Sequence, residues 1–476
     1  MADTMLSVGI DIGTSTTQVI FSRLSVENTS GYFSVPCVKI VDKKVVYKSG
    51  IYTTPLKTPS LIDAEAVRGI VAEEFRRAGY TPQDTQTGAV IITGETARKD
   101  NASLVLESLS GFAGDFVVST AGPDLESMIA GKGSGARQFS EEHHCRVVNV
   151  DIGGGTSNLV CFDCGEAVSV GCLDIGGRLV RFEPDFTVAY ISSSAKKIAR
   201  WKGISIEEGK RTDRDTLVRI GEAMAQLLEQ AVGVREQEDI LREIRTPASS
   251  WFEPQKEEVT IFFSGGVADA VYHEYGDEWK YYDIGIVLGQ AVRRGELWKR
   301  CRVTEPAETI RATVVGAGTY ATTISGSTIT YTRDCFPVKN VPVLLLNAGE
   351  QEACFAGRTE VLAERMRWAI RQNDSEQLVI AMKGKPNPGY VEIKALAGAL
   401  CEAADRVFSP ETPLLIIVEC DMAKALGQAV YHAGKGKRDV IALDSIRAGE
   451  NDYVDMGKPL MGGLVVPVVV KTLVFG

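Results

Sequence analysis

The segment Arg146-Val147-Val148-Asn149-Val150-Asp151-Ile152-Gly153-Gly154-Gly155-Thr156-Ser157 passes directly into Asn158-Leu159-Val160-Cys161-Phe162. Two β-rich runs flank an Asp-x-Gly-rich turn, so the segment reads strand, turn, strand. The same grammar stands near the amino terminus. There Met5-Leu6-Ser7-Val8-Gly9-Ile10 leads into Asp11-Ile12-Gly13-Thr14-Ser15-Thr16-Thr17 and on to Gln18-Val19-Ile20-Phe21. Glycines in such a turn permit positive φ and let backbone N–H groups approach an anion closely. Threonine and serine hydroxyls add donors for phosphate oxygens. An aspartate at the strand end can hold Mg²⁺, usually through water, or orient an attacking water. One copy alone reads equally well as an ordinary Asp-Gly hairpin. Two copies separated by roughly a domain's length favour a duplicated phosphate-binding device.

The chain has 476 residues, which at ~150 residues per domain gives about three domains. Its 52 basic and 62 acidic side chains leave a net charge of −10, and 44% of residues are hydrophobic. That is a globular composition and not a disordered one. No basic face stands out for nucleic acid. No apolar run reaches the ~18 residues of a membrane span, and the amino terminus lacks a leader pattern. The expectation is a cytoplasmic protein with neither nucleic acid nor membrane as partner. Ten cysteines are scattered along the chain. The one CxxC, Cys161–Cys164, has no second pair for zinc, so these read as buried strand cysteines. With only His143, His144, His273 and His432 available, an all-protein transition-metal centre is not expected.

Other elements surround the hairpins. Residues 63–78 read as a helix with Val67, Ile70, Val71 and Phe75 on one face and Gly79 as its stop. Residues 89–93 read as a strand, as do 115–118, which lead through Gly122-Pro123 into a helix starting near Asp124. That helix carries Glu126 and the small residues Ala130, Gly131, Gly133 and Gly135. After the second hairpin, Gly176-Gly177-Arg178 opens a largely helical stretch to about residue 255, where Leu217, Ile220, Met224, Leu227 and Leu228 form a core stripe. Residues 259–263 form a strand running into Ser264-Gly265-Gly266-Val267-Ala268, and 283–291 a small-residue helix.

In this order the segments resemble the five signature elements of the actin/Hsp70/sugar-kinase ATPase superfamily. They are phosphate-1 at 11–17, connect-1 at 125–135, phosphate-2 at 151–157, adenosine at 263–268 and connect-2 at 283–291. Within it the chain resembles, over its whole length, the ethanolamine ammonia-lyase reactivating factors. The stretches Ile92-Thr93-Gly94-Glu95-Thr96-Ala97-Arg98-Lys99, Gly457-Lys458-Pro459-Leu460-Met461-Gly462-Gly463 and Val465-Val466-Pro467-Val468 carry that likeness. The resemblance implies an α/β fold of duplicated actin-like (ribonuclease H-like) subdomains closing on ATP or ADP with Mg²⁺, plus an additional carboxy-terminal α/β region. It implies Asp11 and Asp151 at the metal and the terminal phosphate, and Gly13, Thr14, Ser15, Thr16, Gly153, Gly154, Gly155 and Thr156 around the phosphates. Glu126 falls near the attacking water, although a solvated helix carboxylate is an equal alternative. Gly176 and Gly177 correspond to a sugar-contacting turn. Gly265 and Gly266 fall at the adenine or ribose, or else form a corner packed for sterics alone.

The expected organisation is subdomain I over 1–140 with an insertion at about 22–85, subdomain II over 141–304 with a helical insertion at about 178–258, and a carboxy-terminal region over 305–476. In that region strands at 341–346, 378–382, 414–418 and 439–443 alternate with helices at 359–370, 393–407 and 421–431, ahead of a β-rich tail. The repeat of Leu288-Gly289-Gln290-Ala291-Val292 as Leu426-Gly427-Gln428-Ala429-Val430 leaves open a rival adenosine/connect-2 pair at 414–430. No Walker A loop exists, and Gly316-Ala317-Gly318 only imitates a dinucleotide fingerprint. The tract Gly434-Lys435-Gly436-Lys437-Arg438 reads as a solvated loop.

By the resemblance, the partner is ethanolamine ammonia-lyase. The factor loosens the inactivated enzyme so that damaged cobalamin exchanges for intact adenosylcobalamin. No cobalamin-binding motif is visible in the chain itself. A small-molecule kinase and a nucleotide-dependent filament or scaffold are the alternatives on the same core. Homo-oligomerisation and association with a bacterial microcompartment stay open.

Overall fold

The computed structural model describes residues 3–13, 16–28, 38–58, 61–93, 101–109, 112, 122–255, 258–306, 308–320, 323–326, 328–332, 335–373, 375–450 and 452–472. Thr14, Ser15, the stretch 94–99 and the strand expected over 115–118 lie outside them.

In the first half, strand Asp3–Ile12 pairs antiparallel with Thr16–Asn28, which pairs antiparallel with Val38–Lys48. On its other edge Asp3–Ile12 lies parallel to Thr87–Ile92. A parallel connection needs a crossover, and helix Ala64–Ala78 lies in it. Asp63 caps its start by accepting from the Ala66 N–H at 3.1 Å, and Gly79 ends it at φ 75°. Val67, Val71 and Phe75 bury against Val8, Ile10 and Phe21 of the sheet.

The second half repeats this plan. Arg146–Ile152, Ser157–Asp163 and Glu166–Leu173 form an antiparallel meander, and Arg146–Ile152 is parallel to Thr260–Ser264 on its far side. The register repeats as well. Asp11 stands opposite Gln18 and Asp151 opposite Asn158. Both turns close with the same bond, Gly13 N–H to the Thr16 carbonyl at 2.8 Å and Gly153 N–H to the Thr156 carbonyl at 2.9 Å. A three-stranded meander with a parallel strand added to its first member, built twice in one chain, is the duplicated actin-like arrangement. The stretch 178–258 adds a ribbon (Val180–Phe182 with Val188–Ile191) and helices Ser193–Trp201, Arg214–Val232 and Ile240–Glu243 to the second half. Leu217, Ile220, Met224, Leu227 and Leu228 are buried in its core.

Two helices join the halves. Pro123–Gly133 crosses Ala312–Tyr320 with backbone against backbone. A Cβ on Gly133 would overlap the Ala312 carbonyl and lie 2.6 Å from the Gly316 nitrogen, and one on Gly316 would overlap the Ile129 carbonyl. Gly131 lets the same connecting helix rest on Val160 and Phe162 of the second sheet, and Gly9 makes room for Val314 on the first. The helix expected over 283–291 forms as Gly285–Arg294, but it packs on Arg214–Val232 and Ala268–Tyr272 inside the second half. The crossing partner of Pro123–Gly133 comes instead from the stretch that the expected boundaries place after residue 304. Both helices are runs of small apolar residues, and only their packing partners tell them apart. Gly316 and Ala317 belong to the crossing helix and form no dinucleotide loop.

The carboxy-terminal region is one mixed sheet. Its parallel core orders Val338–Leu345, Val379–Met382, Leu414–Val418 and Val440–Leu443. Helices Glu360–Asn373, Tyr390–Val407 and Ala423–Ala433 cover one face, and Phe336, Ile446, Val454, Val466 and Val468 fill the other. Helix Ala348–Phe355 had no counterpart in the expected alternation. The tail fastens this region to the first half. Val469 packs with Ala89, Ile91, Ile129 and Ala317, while Leu460, Met461 and Val465 pack with Met5, Leu24 and Val26.

Gly133→Ala places a methyl group inside the helix crossing and should lower the unfolding free energy by about 1–3 kcal/mol. Denaturant titration checks this, and wild-type stability in the variant would show that the two backbones do not touch.

Candidate functional site

A cleft of about 370 Å³ lies between the halves. From the first half and the joining helices it is lined by Asp11, Gly13, Thr16, Gln18, Thr93, Glu126 and Thr313. From the second half come Asp151, Gly153, Gly154, Gly155, Thr156, Gly177, Arg178, Gly265, Gly266 and Asp283. Both aspartates sit at the carboxyl end of the first strand of their sheet, where the hairpin turns toward the other half. Asp11 is 9% exposed and Asp151 4%.

Asp151 is held by several donors. Ser264 Oγ donates to its Oδ1 at 2.6 Å, and the Thr313 hydroxyl and Asn158 amide donate as well. Asp11 accepts from Thr93 Oγ1 at 3.1 Å. Burial pushes the Asp11 carboxyl up to about 7; the Thr93 hydrogen bond opposes this and the charge of Asp151 adds to it. Burial likewise pushes Asp151 up to about 6 against its three hydrogen bonds. Among the described residues neither carboxylate has an ion-pair partner; Arg178 instead approaches Asp283, at 3.8 Å. Two buried, mutually repelling carboxylates fit a divalent cation that takes its remaining ligands from water and phosphate. No group of three or more His, Cys, Asp or Glu side chains that could hold a metal ion exists among the described residues.

The turns themselves are fixed from behind. Gly177 N–H donates to the Gly153 carbonyl at 3.0 Å and Arg178 N–H to the Gly154 carbonyl at 2.7 Å. A Cβ on Gly176 would overlap the Gly154 carbonyl, so Gly176 buttresses the turn and does not line the cleft. Gly265 has φ 88°, and a Cβ there would overlap the Ile152 carbonyl. The N–H groups of Gly13 and Gly153 are spent inside their own turns. These two glycines therefore give the cleft room and not donors.

The remaining site residues expected from sequence, apart from Thr14 and Ser15, face this one cavity. Glu126 is on its wall and 7% exposed. The rival segment 414–430 lies in the carboxy-terminal sheet, away from it. Sequence reasoning passed over Gln18, Thr93, Thr313 and Asp283. Thr93 follows the strand parallel to Asp3–Ile12, at the end of a sheet where ligands gather, so its position was a usable signal. Thr313 had none, because its approach depends on the helix crossing. Ile286, Tyr275 and Tyr281 line the same cleft.

A family model described as "Ethanolamine utilisation protein EutA" matches residues 3–476. The chain belongs to the EutA family. The ethanolamine ammonia-lyase reactivase EutA of Salmonella typhimurium is 34% identical over 487 residues, covering 99% of this chain and 98% of that protein. Its Escherichia coli namesake is 33% identical over 477 residues, with the same coverage. Among solved structures, the Aquifex aeolicus PPX-GPPA enzyme has a TM-score of 0.39 at 13% identity, covering 66% of this chain and 99% of that one. EutJ, an ethanolamine utilization protein from Carboxydothermus hydrogenoformans, has 0.31 at 14%, covering 66% and 90%. The fold assignment of this EutA-family chain rests on its own repeated strand order.

The two raised carboxyls make stability depend on pH. Their neutral forms are favoured in the folded state, so their contribution is complete below pH ~4 and is lost as pH rises through about 6 to 7. Without divalent cation, Asp11→Asn should flatten the decline in stability between pH 5 and pH 8. Denaturant titrations in a chelator test this. A variant with the wild-type slope would show that Asp11 ionises freely.

Proposed function

We propose that this chain is an ATP-dependent reactivase that releases damaged cobalamin from inactivated ethanolamine ammonia-lyase so that intact adenosylcobalamin rebinds. One observation carries the reading: in a chain related over its whole length to reactivases of that lyase, duplicated hairpins bring Asp11 and Asp151 to one glycine-lined cleft. In this reading the phosphates lie over the paired turns. Gly13, Gly154 and Gly155 give them room, and the hydroxyls of Thr16 and Thr156 serve as donors, along with Thr14 and Ser15. Asp11 and Asp151 would hold Mg²⁺, which when bound neutralises phosphate charge. Glu126, on the connecting helix, stands at the wall where an attacking water is oriented. Gly265 and Gly266 admit the nucleoside, with Ile286, Tyr275 and Tyr281 beyond them.

Nucleotide state does work on a partner only if the two states bind that partner with different free energies. The cleft is formed by both halves, so ligation biases their separation. The surfaces that differ from a minimal core, about 22–85, 178–258 and the carboxy-terminal region, are those that meet the lyase. In this reading the carboxylates and hydroxyls of the site serve a slow ATPase and not group transfer to a metabolite.

The deciding experiment incubates inactivated lyase with the protein, ATP, Mg²⁺ and free adenosylcobalamin, and follows the return of lyase activity. Recovery that needs both ATP and the protein is expected. ATP-dependent phosphorylation of a metabolite, or nucleotide-dependent sedimentation without recovery, would replace the reading with a kinase or a filament. Asp151→Asn should lower phosphate release by about two orders of magnitude while leaving the circular-dichroism spectrum unchanged; undiminished turnover would remove Asp151 from the mechanism. Gly154→Val should weaken ATP binding in a calorimetric titration, and wild-type affinity would show that this turn does not face the phosphates.

A further inference from the structure

Gln18 is 2% exposed, lines the cleft beside Asp11, and its amide Oε1 has no hydrogen-bond partner among the described residues. Buried polar atoms are nearly always satisfied, and one left over at a cavity points to a ligand that completes it. The position is not accidental. Gln18 stands directly across the hairpin from Asp11, as Asn158 stands across from Asp151. Each half therefore sets an amide beside its aspartate, on the same face of the sheet.

Among the described residues both amide oxygens, Gln18 Oε1 and Asn158 Oδ1, lack a hydrogen-bond partner, but of the two residues Gln18 is the one that lines the cleft. Asn158 is 1% exposed, is absent from the cleft lining, and donates to Asp151. It positions that carboxylate. Gln18 is one methylene longer and reaches the cavity. Among the described residues Asp151 is held by three side-chain donors and Asp11 by Thr93. The first half thus leaves an acceptor waiting for a donor. Phosphate oxygens accept and cannot supply it. The hydroxyls of a ribose and the amine of a base are donors, but in the proposed pose they lie at the Gly265–Gly266 end. Water bound to a divalent cation directs its protons outward, and a hydrated Mg²⁺ keeps several such waters.

We infer that Gln18 accepts a hydrogen bond from a water of the cation's hydration shell and so sets the affinity of the site for its divalent metal. It is a positioning residue acting through that water. The inference rests on the nucleotide-and-metal reading above and adds to it the residue that anchors the hydration shell on the first half.

The probe is Mn²⁺, with ADP as the nucleotide, and free Mn²⁺ is read by electron paramagnetic resonance. Gln18→Leu keeps the side-chain size and removes the acceptor. It should weaken Mn²⁺ binding to the protein–ADP complex about tenfold, with ADP affinity in chelator unchanged. Gln18→Glu keeps an acceptor oxygen and should bind Mn²⁺ at least as tightly as the wild type. Unchanged Mn²⁺ affinity in Gln18→Leu overturns the inference. So does an equal loss of ADP affinity in chelator, which would make Gln18 a nucleotide contact. A wild-type protein that binds no ADP overturns the parent reading itself, an outcome the variants cannot mimic.

Discussion

The contact on which the rest depends is the crossing of Pro123–Gly133 with Ala312–Tyr320. The two helices meet without side chains between them, because Gly133 and Gly316 each face a carbonyl of the other helix. A crossing that close sets the distance between the two sheets, and that distance sets the width of the cleft. It also brings Thr313, on the first turn of one helix, within hydrogen-bonding reach of Asp151 in the opposite half. Interfaces packed this tightly are bistable and not continuously deformable.

Electrostatics at the cleft oppose the fold that creates it. Two carboxyls with raised proton affinity are buried where they repel each other, a cost that packing elsewhere must offset. Among the described residues the hydrogen bonds are distributed unevenly, three side-chain donors on Asp151 against Thr93 on Asp11. Both turns are tied from behind: the Gly13 carbonyl accepts from the Thr54 hydroxyl at 2.8 Å, and the Gly153 and Gly154 carbonyls accept from the Gly177 and Arg178 N–H groups.

Much of this was legible in the chain. The repeated Asp-x-Gly turns specify strand, turn and strand because glycine tolerates the geometry and the flanking β-branched runs pack as strands. The parallel alternation from 338 onward was legible for the same reason, since buried strands and amphipathic helices differ in period. What failed to show was pairwise. Gly285–Arg294 and Ala312–Tyr320 are both runs of small apolar residues, and nothing local says which one meets Pro123–Gly133. The resemblance makes Gly176 part of a sugar-contacting turn, yet it faces the Gly154 carbonyl. Gln18 reads as a polar interruption in a strand until its cross-strand neighbour, Asp11, is known.

The return of the tail to the first half has a mechanical corollary. Val469 and the Leu460–Val465 turn bolt the final sheet onto Met5, Leu24 and Ile91, so the chain's two extremities form a single chassis. Any hinge motion then swings the remaining lobe, with its ribbon and long helices, against a base carrying most of the mass. A client gripped by both would be levered apart, whereas one touching the base alone would merely be carried along.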